Sequence, residues 1–215
     1  MSSINSICHA DCAGRYQHFS WVYVFRFLRA SQALNSPSSV DNHAAVQNLQ
    51  AIASLASQQG DHAIHMAASL MEALAYLKSG SPDATQHVQH AIAAARSHQT
   101  EPSCHISQLV GLTHILDVAS AIRQGTPGVM LPKLQDMQKM IDGALKDPSW
   151  STTSDVIAIP INRTKKSSDT VSPDTRMVLG IGDDGGDVLM MSFLNKNDAR
   201  SVTLAEQIIQ HMNAD

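Results

Sequence analysis

The chain has 215 residues, 43% of them apolar, with a formal net charge of −4 and a pI near 6.2. That length and apolar share supply a sizeable core and exclude wholesale disorder. Residues 1–150 carry nine basic and ten acidic side chains and residues 151–215 six and nine, so neither part has the basic stripe that nucleic-acid binding uses.

Residues 1–18 are polar, contain Gly14 and lack a clean period, so they read as a poorly ordered lead-in. No basic stretch followed by an apolar one is found there, so no secretory signal is expected. The three cysteines (Cys8, Cys12, Cys104) are an odd number, which suits a reducing compartment better than a disulfide framework. Phe19–Leu34 follows and holds five of the nine aromatic residues. Trp21, Tyr23, Phe25 and Phe27 alternate as a strand would, but the run continues into RASQAL, a good helix former, and predicts a buried helix. No apolar run is long enough to span a bilayer.

From Asp41 onward the punctuation is regular. Asp41 or Asn42 is the expected N-cap of a helix whose face is Val46, Leu49, Ile52, Ala53 and Ala56. Gly60 suits a left-handed stop and Asp61 the next cap, before a helix with Ile64, Ala67, Ala68, Met71, Leu74, Ala75 and Leu77. Ser79–Pro82 closes it. A third helix opens at Pro82 or Asp83 with Val88, Ala91, Ile92 and Ala95, and Thr100–Ser103 is a loop. A fourth runs from Ile106 to Gly125, and a fifth carries Leu131, Leu134, Met137, Met140, Ile141, Ala144 and Leu145. Hairpin starts near Asp41, Pro82 and Gly128 give a period of roughly 40 residues, within the range of helical repeats.

Past Trp150 the pattern changes. Val156–Ile161, Met177–Ile181 and Val188–Leu194 are strand-like, and the last two predict a hairpin. Asn162–Pro173 reads as a flexible polar loop, in which a Ser-Pro among the hydroxyls of Thr164–Pro173 is a phosphorylation candidate, set against a plain solvated linker. Asn197 or Asp198 starts a terminal helix with Val202, Leu204, Ala205, Ile208, Ile209 and Met212. With no polar capping repeat after it, the chain reads as part of a longer array. The expected organisation is therefore a lead-in over 1–18, a helical-repeat array over 19–150, a loop with short strands over 151–196, and a terminal helix continuing the array over 197–215.

Chemistry-bearing patterns are sparse. Gly180-Ile-Gly182-Asp-Asp-Gly185 matches a dinucleotide fingerprint in letters alone, because another strand follows it and its aspartates would repel phosphate; it reads as a β-turn. His62/His65 and His87/His90 each share a helix face, and Cys8-His9 with Cys12 is the softest ligand group, but none has a full zinc set at useful spacing. Asp61, Asp83 and Asp117 are expected at helix starts or on outer faces, and Glu72 exposed or paired with Lys78 or Tyr76. Asn162-Arg-Thr164 is a chance glycosylation triplet. The aromatic cluster with Arg26 and Arg29 reads either as core of a preceding repeat or as a partner groove. No catalytic, cofactor-binding or metal-binding residue is assigned, and no enzyme activity is expected.

WVYVFRFLRASQAL, then AVQNLQAIASLASQQGDHAIHMAASLMEALAYLKS with its Gly60-Asp61 turn, AIAAARSHQ, KLQDMQKMIDGALKDPSW, VIAIPIN and DVLMMSFLNKNDA together resemble, in the same order, the fungal members of the cohesin-loading factor family. The resemblance covers roughly residues 20–200. It implies a mainly α fold of antiparallel helix pairs in a tetratricopeptide-like solenoid, with a short β-hairpin insert near 155–194. It also implies a nuclear, non-catalytic scaffold that grips the large HEAT-repeat subunit of the cohesin loader and serves sister-chromatid cohesion. Cohesin and chromatin would be reached indirectly, without direct nucleic-acid or membrane contact. Family members run several times longer, so the chain reads as a central or truncated piece. First helices of tetratricopeptide pairs line the inner surface, which makes Gln47, Gln50 and Gln58 candidates for partner contacts, against a reading as plain solvated glutamines. Two alternatives stay open: a helical-repeat interaction segment of an unrelated fungal regulator, and an enzyme with a helical domain.

Overall fold

The aromatic run that alternates like a strand is a helix, α1 (Phe19–Asn35). Tyr23, Phe27 and Ala30, spaced by one turn each, are all at most 3% exposed, so helical period wins over alternation. Core burial thus outweighs a partner groove as the use of this aromatic cluster, although Trp21 and Phe25 remain half-buried with ring centroids 5.8 Å apart. In the computed structural model the described residues are 18–81, 83–125, 127–144, 146, 150, 155–162, 175–182, 185–193 and 197–202. The lead-in up to residue 17 with Cys8, His9 and Cys12, the loop over 163–174 with its Ser-Pro and glycosylation triplet, and the terminal helix past 202 lie outside them.

Helix α2 (Ser39–Gln59) starts earlier than Asp41 or Asn42 would place it, with Ser38 in the capping position. Asp41 instead lies in the first turn, where an acid complements the helix dipole, and accepts the Ser36 hydroxyl at 2.6 Å. Gly60 ends the helix at φ +74°, the left-handed conformation that glycine adopts without penalty. α3 (His62–Ser79) follows at once, then α4 (Ala84–Arg96), a single 3₁₀ turn (Pro102–Cys104), α5 (Ser107–Gln124) and α6 (Pro127–Ala144). Cross-helix contacts run in opposite sequence directions: Asn42 and Gln50 of α2 meet Ala75 and Glu72 of α3, and His98 beyond α4 meets His62 while His87 meets Tyr76. The pairs are therefore antiparallel. α3 is the hub, packing on α2, α4, α5 and the sheet, with Ala63, Ala67, Ala68, Ala73 and Ala75 letting neighbours approach.

Three antiparallel strands follow: β1 (Val156–Pro160), β2 (Leu179–Ile181) and β3 (Asp187–Ser192), in the order β1-β3-β2. β2 and β3 form the expected hairpin, closed through Gly182 N–H to Gly186 O at 2.7 Å with Gly185 at φ +76°. Of the fingerprint-like glycines, Gly182 and Gly185 belong to this turn, whereas Gly180 lies in β2 opposite Val188. Met177 and Val178, expected in the strand, precede it. Ile157, Ile159, Ile161, Leu179 and Leu189 point into the same core as Tyr23, Leu49, Ile64 and Leu70, so the sheet seals one face of the helical layer. A second cluster joins Ile115, Val118, Leu134, Met137 and Ile141 to Trp150 and Ala199, the latter in a helical segment over 197–202. Gly111 allows this packing: a Cβ there would meet Trp150 Cη2 at 3.1 Å and Met140 Cε at 3.2 Å.

Two aspartates expected at helix starts or on outer faces are structural. Asp61 does precede α3, but its side chain makes no capping bond and is 2% exposed. Its carboxylate accepts the Tyr23 hydroxyl at 2.6 Å and the Asn162 backbone N–H at 2.6 Å, tying α1, the α2–α3 turn and the end of β1 together. Burial raises its pKa, while those two bonds and the neighbouring His62 act to lower it. Asp117 lies within α5 and is 8% exposed, taking Arg96 of α4 and Lys133 of α6 at 2.6 Å each. Burial pushes its carboxyl up, but the two cations prevail and hold it below the ordinary carboxylate range.

Candidate partner-binding groove

The outward side of the α2–α3 hairpin opens into a groove of about 330 Å³ that continues onto the start of α4. α2 supplies Asn42, His43, Val46, Gln47 and Gln50, α3 supplies Tyr76, and Asp83 and His87 come from the next helix start. The helical period puts positions 43, 47 and 50 on one exposed stripe, beside the buried stripe of Val46, Leu49 and Ile52. Gln47 and Gln50 are both exposed at the groove. Gln47 shares a hydrogen bond of 3.0 Å with His43, and Gln50 donates to Glu72 at 2.8 Å and to the Tyr76 hydroxyl at 3.3 Å. Gln58 is exposed too, but it lies beyond the groove and contacts Ser54 at 3.4 Å. The structure therefore brings two of the three glutamines to one surface.

The pairing of Glu72 differs from expectation in its partner. Gln50 takes it, while Lys78 reaches back to the carbonyls of Leu34 and Ser36. Burial raises the Glu72 pKa, opposed by the Gln50 bond and by His90 and His87. Tyr76 is raised by burial and by the nearby Glu72 charge. The Tyr76 and His87 rings stack with centroids 4.5 Å apart and 13° between planes, giving the groove a flat aromatic wall. Among the described residues its lining offers amide, hydroxyl and imidazole groups and one carboxylate, all able to hydrogen-bond a polar chain.

Two features escaped sequence reading. Asn42, expected as a cap, lies in the groove floor at 8% exposure and donates from Nδ2 to Ala75 O at 3.1 Å. Only the α2–α3 register brings position 42 to position 75, so no local signal marks it. The other is His98, which stacks on His62 at 4.6 Å and meets His65 edge-on at 4.8 Å. The antiparallel register of α3 and α4 predicts that meeting, once His62 is placed at the start of one helix and His98 just after the other. Burial lowers the pKa of both His65 and His98, helped by the neighbouring imidazoles. Among the described residues, no group of three His, Cys, Asp or Glu is arranged to hold a metal, and no helix is long and apolar enough to cross a membrane. Cys104 is fully buried, with burial raising its thiol pKa.

The family model described as cohesin loading factor matches residues 4–213. No curated protein and no solved structure matches the chain.

Proposed function

The chain belongs to the cohesin loading factor family, and from that membership we propose that it is a non-catalytic scaffold gripping an extended segment of the large HEAT-repeat subunit of the cohesin loader. Through that grip it supports loading of cohesin onto chromatin in the nucleus, for sister-chromatid cohesion, without touching nucleic acid itself. The helix pairs act as a tetratricopeptide-like solenoid over 19–150, the strands of 151–196 brace it, and the segment from 197 continues the array. The observation that supports this best is the groove across α2, α3 and α4, lined by side-chain amides and walled by Tyr76 and His87. A concave surface built from consecutive helices, with amide, hydroxyl and imidazole groups set among apolar lining, suits an extended peptide, whose backbone offers a hydrogen-bond group at every residue. Gln47 and Gln50 contact the segment from the groove, and Gln58 extends the same helix surface beyond it.

The test is co-purification of the tagged chain with the N-terminal segment of the large loader subunit at moderate salt. Retention, weakened by the double substitution Gln47→Glu/Gln50→Glu, is the expected result. A folded chain that retains nothing overturns the proposal. Retention that ignores both substitutions moves the grip away from this groove.

A further inference from the structure

We propose that the outward face of the three-stranded sheet docks an amphipathic helix of a partner protein, about three turns long, whose apolar stripe lies along β3 and whose acidic side chain pairs with Arg176. An antiparallel sheet with one face on the core ordinarily turns polar side chains to water on the other. Here Ile157, Ile159, Leu179 and Leu189 take the core face, and strand alternation sends Val156, Ala158, Gly180, Val188 and Met190 outward. Among the outward strand positions, Ser192 alone has a polar side chain. Val156 and Ala158 are exposed and Met190 is half-buried. Ala158, Gly180, Val188 and Met190 line a hollow of about 690 Å³ with Arg176 beside it. Gly180 adds no side chain to it, where a Cβ would press on Val188 Cγ2 at 3.1 Å.

The open edges of the sheet suit an added strand poorly. Ile161 N–H donates to Asp187 O and Phe193 N–H to Asp155 O, so Val156, Ala158 and Pro160 turn their backbone groups to the free edge of β1. Pro160 brings no N–H there, and β2 has only three residues. The face has the dimensions of a helix instead. Three strands about 4.8 Å apart give a width of about 10 Å, one helix diameter. The six residues of β3 run about 17 Å, the length of about eleven helical residues. Arg176 is exposed and is the only charged side chain lining the hollow among the described residues, so an acidic side chain on the docked helix meets an opposite charge and a basic one meets a like charge. This surface shares no lining residue with the groove across α2, α3 and α4, and it stands whether or not that groove binds a peptide.

The experiment titrates the full, isotope-labelled chain with two synthetic peptides of about twelve residues, stapled to hold the helix. Both carry leucine at every third or fourth position; one flanks the leucines with Glu and its twin with Lys. Resonances of Ala158, Gly180 and Met190 report the site, at an ionic strength that screens charges beyond about 8 Å. The Glu peptide is expected to shift these resonances and to bind about three- to tenfold more tightly than the Lys twin. Arg176→Glu is expected to reverse that preference, and Ala158→Glu, at an exposed position, to weaken both peptides about tenfold or more. Absence of shifts at these three residues overturns the proposal, as do equal binding of the twins or a preference that Arg176→Glu leaves unchanged. A dimer in sedimentation that Ala158→Glu dissolves assigns the face to a second copy and overturns it too. So does a Met190 methyl screened from a soluble paramagnetic agent in the free monomer, which would mean that the chain covers this face itself.

Discussion

Removal of one oxygen atom from Tyr23 tests the architecture most directly. Tyr23→Phe keeps the ring that fills the core between α1 and α3 and deletes only the hydroxyl that bonds Asp61 at 2.6 Å. A hydrogen bond to a charged acceptor contributes about 1.5–3 kcal/mol, and Asp61, 2% exposed, has no route to water as a substitute. The expected loss is therefore about 2–3 kcal/mol, read as a lower midpoint in urea unfolding at unchanged slope. Asp61→Ala is expected to cost more, since it strands both the Tyr23 hydroxyl and the Asn162 N–H. Asp61→Asn is expected to cost least, because its Oδ1 still accepts from Asn162 and its Nδ2 can donate to the Tyr23 oxygen, which rotates to accept. The order Ala, then Phe, then Asn follows from donor and acceptor counts alone. In a double-mutant cycle, Tyr23→Phe and Asp61→Ala should couple by about 1 kcal/mol or more. A Tyr23→Phe variant within about 0.5 kcal/mol of the parent, with no coupling, would refute the reasoning.

Acid should weaken the fold in the range where histidine titrates. Burial lowers the pKa of His65, His98 and His114 in the folded state, so their stabilising contribution is complete above the ordinary histidine value and is lost as pH falls through it. The urea midpoint should fall between about pH 7.5 and pH 5.5, and His65→Gln should flatten that slope. Asp61 and Glu72, whose pKa values are raised, work in the opposite sense, so an unchanged slope in the histidine variant would count against the imidazole account. Gly111→Ala should destabilise by about 0.5–2 kcal/mol in thermal or urea unfolding, overpacking against Trp150 outweighing the gain in helix propensity; Met140→Ala should recover part of it. Asp117→Ala should cost about 1–3 kcal/mol, between exposed and buried ion pairs, because Arg96 and Lys133 remain partly solvated; the loss should persist in 1 M salt.

The helices were legible because their signals are local. Each apolar stripe repeats every three or four residues, and Gly60, Gly80 and Gly125, all left-handed, mark the stops where they were expected. The β2–β3 hairpin was equally legible from Gly182–Gly186 between two apolar runs. What the sequence concealed depends on register between distant segments. β1 lies on the far side of β3, pairing Ile157 with Met191, and nothing near Ile157 announces that partner. Asp61 has the letters of an N-cap, and its use as a clip emerges only when Tyr23 and Asn162 arrive from elsewhere. The groove was half visible: the stripe containing Gln47 and Gln50 follows from the helical period, whereas the floor position of Asn42 needs the offset between α2 and α3.

The clip at Asp61 also orders events in time. Its bond to Asn162 spans 101 residues, whereas the Arg26–Asn48 and Gln50–Glu72 contacts each span 22. Closing the longer loop costs roughly 1.4 kcal/mol more chain entropy than closing a 22-residue one, and the search is slower. On a ribosome, α1 to α5 emerge and pair before β1 exists, holding Asp61 with a single donor until the strands arrive. The sheet then docks after these helices have paired, and the helical layer waits in a looser state with an open flank on α3. Pulsed hydrogen exchange during refolding should protect the amides of α2 and α3 ahead of the amide of Asn162, and simultaneous protection would contradict that sequence of events.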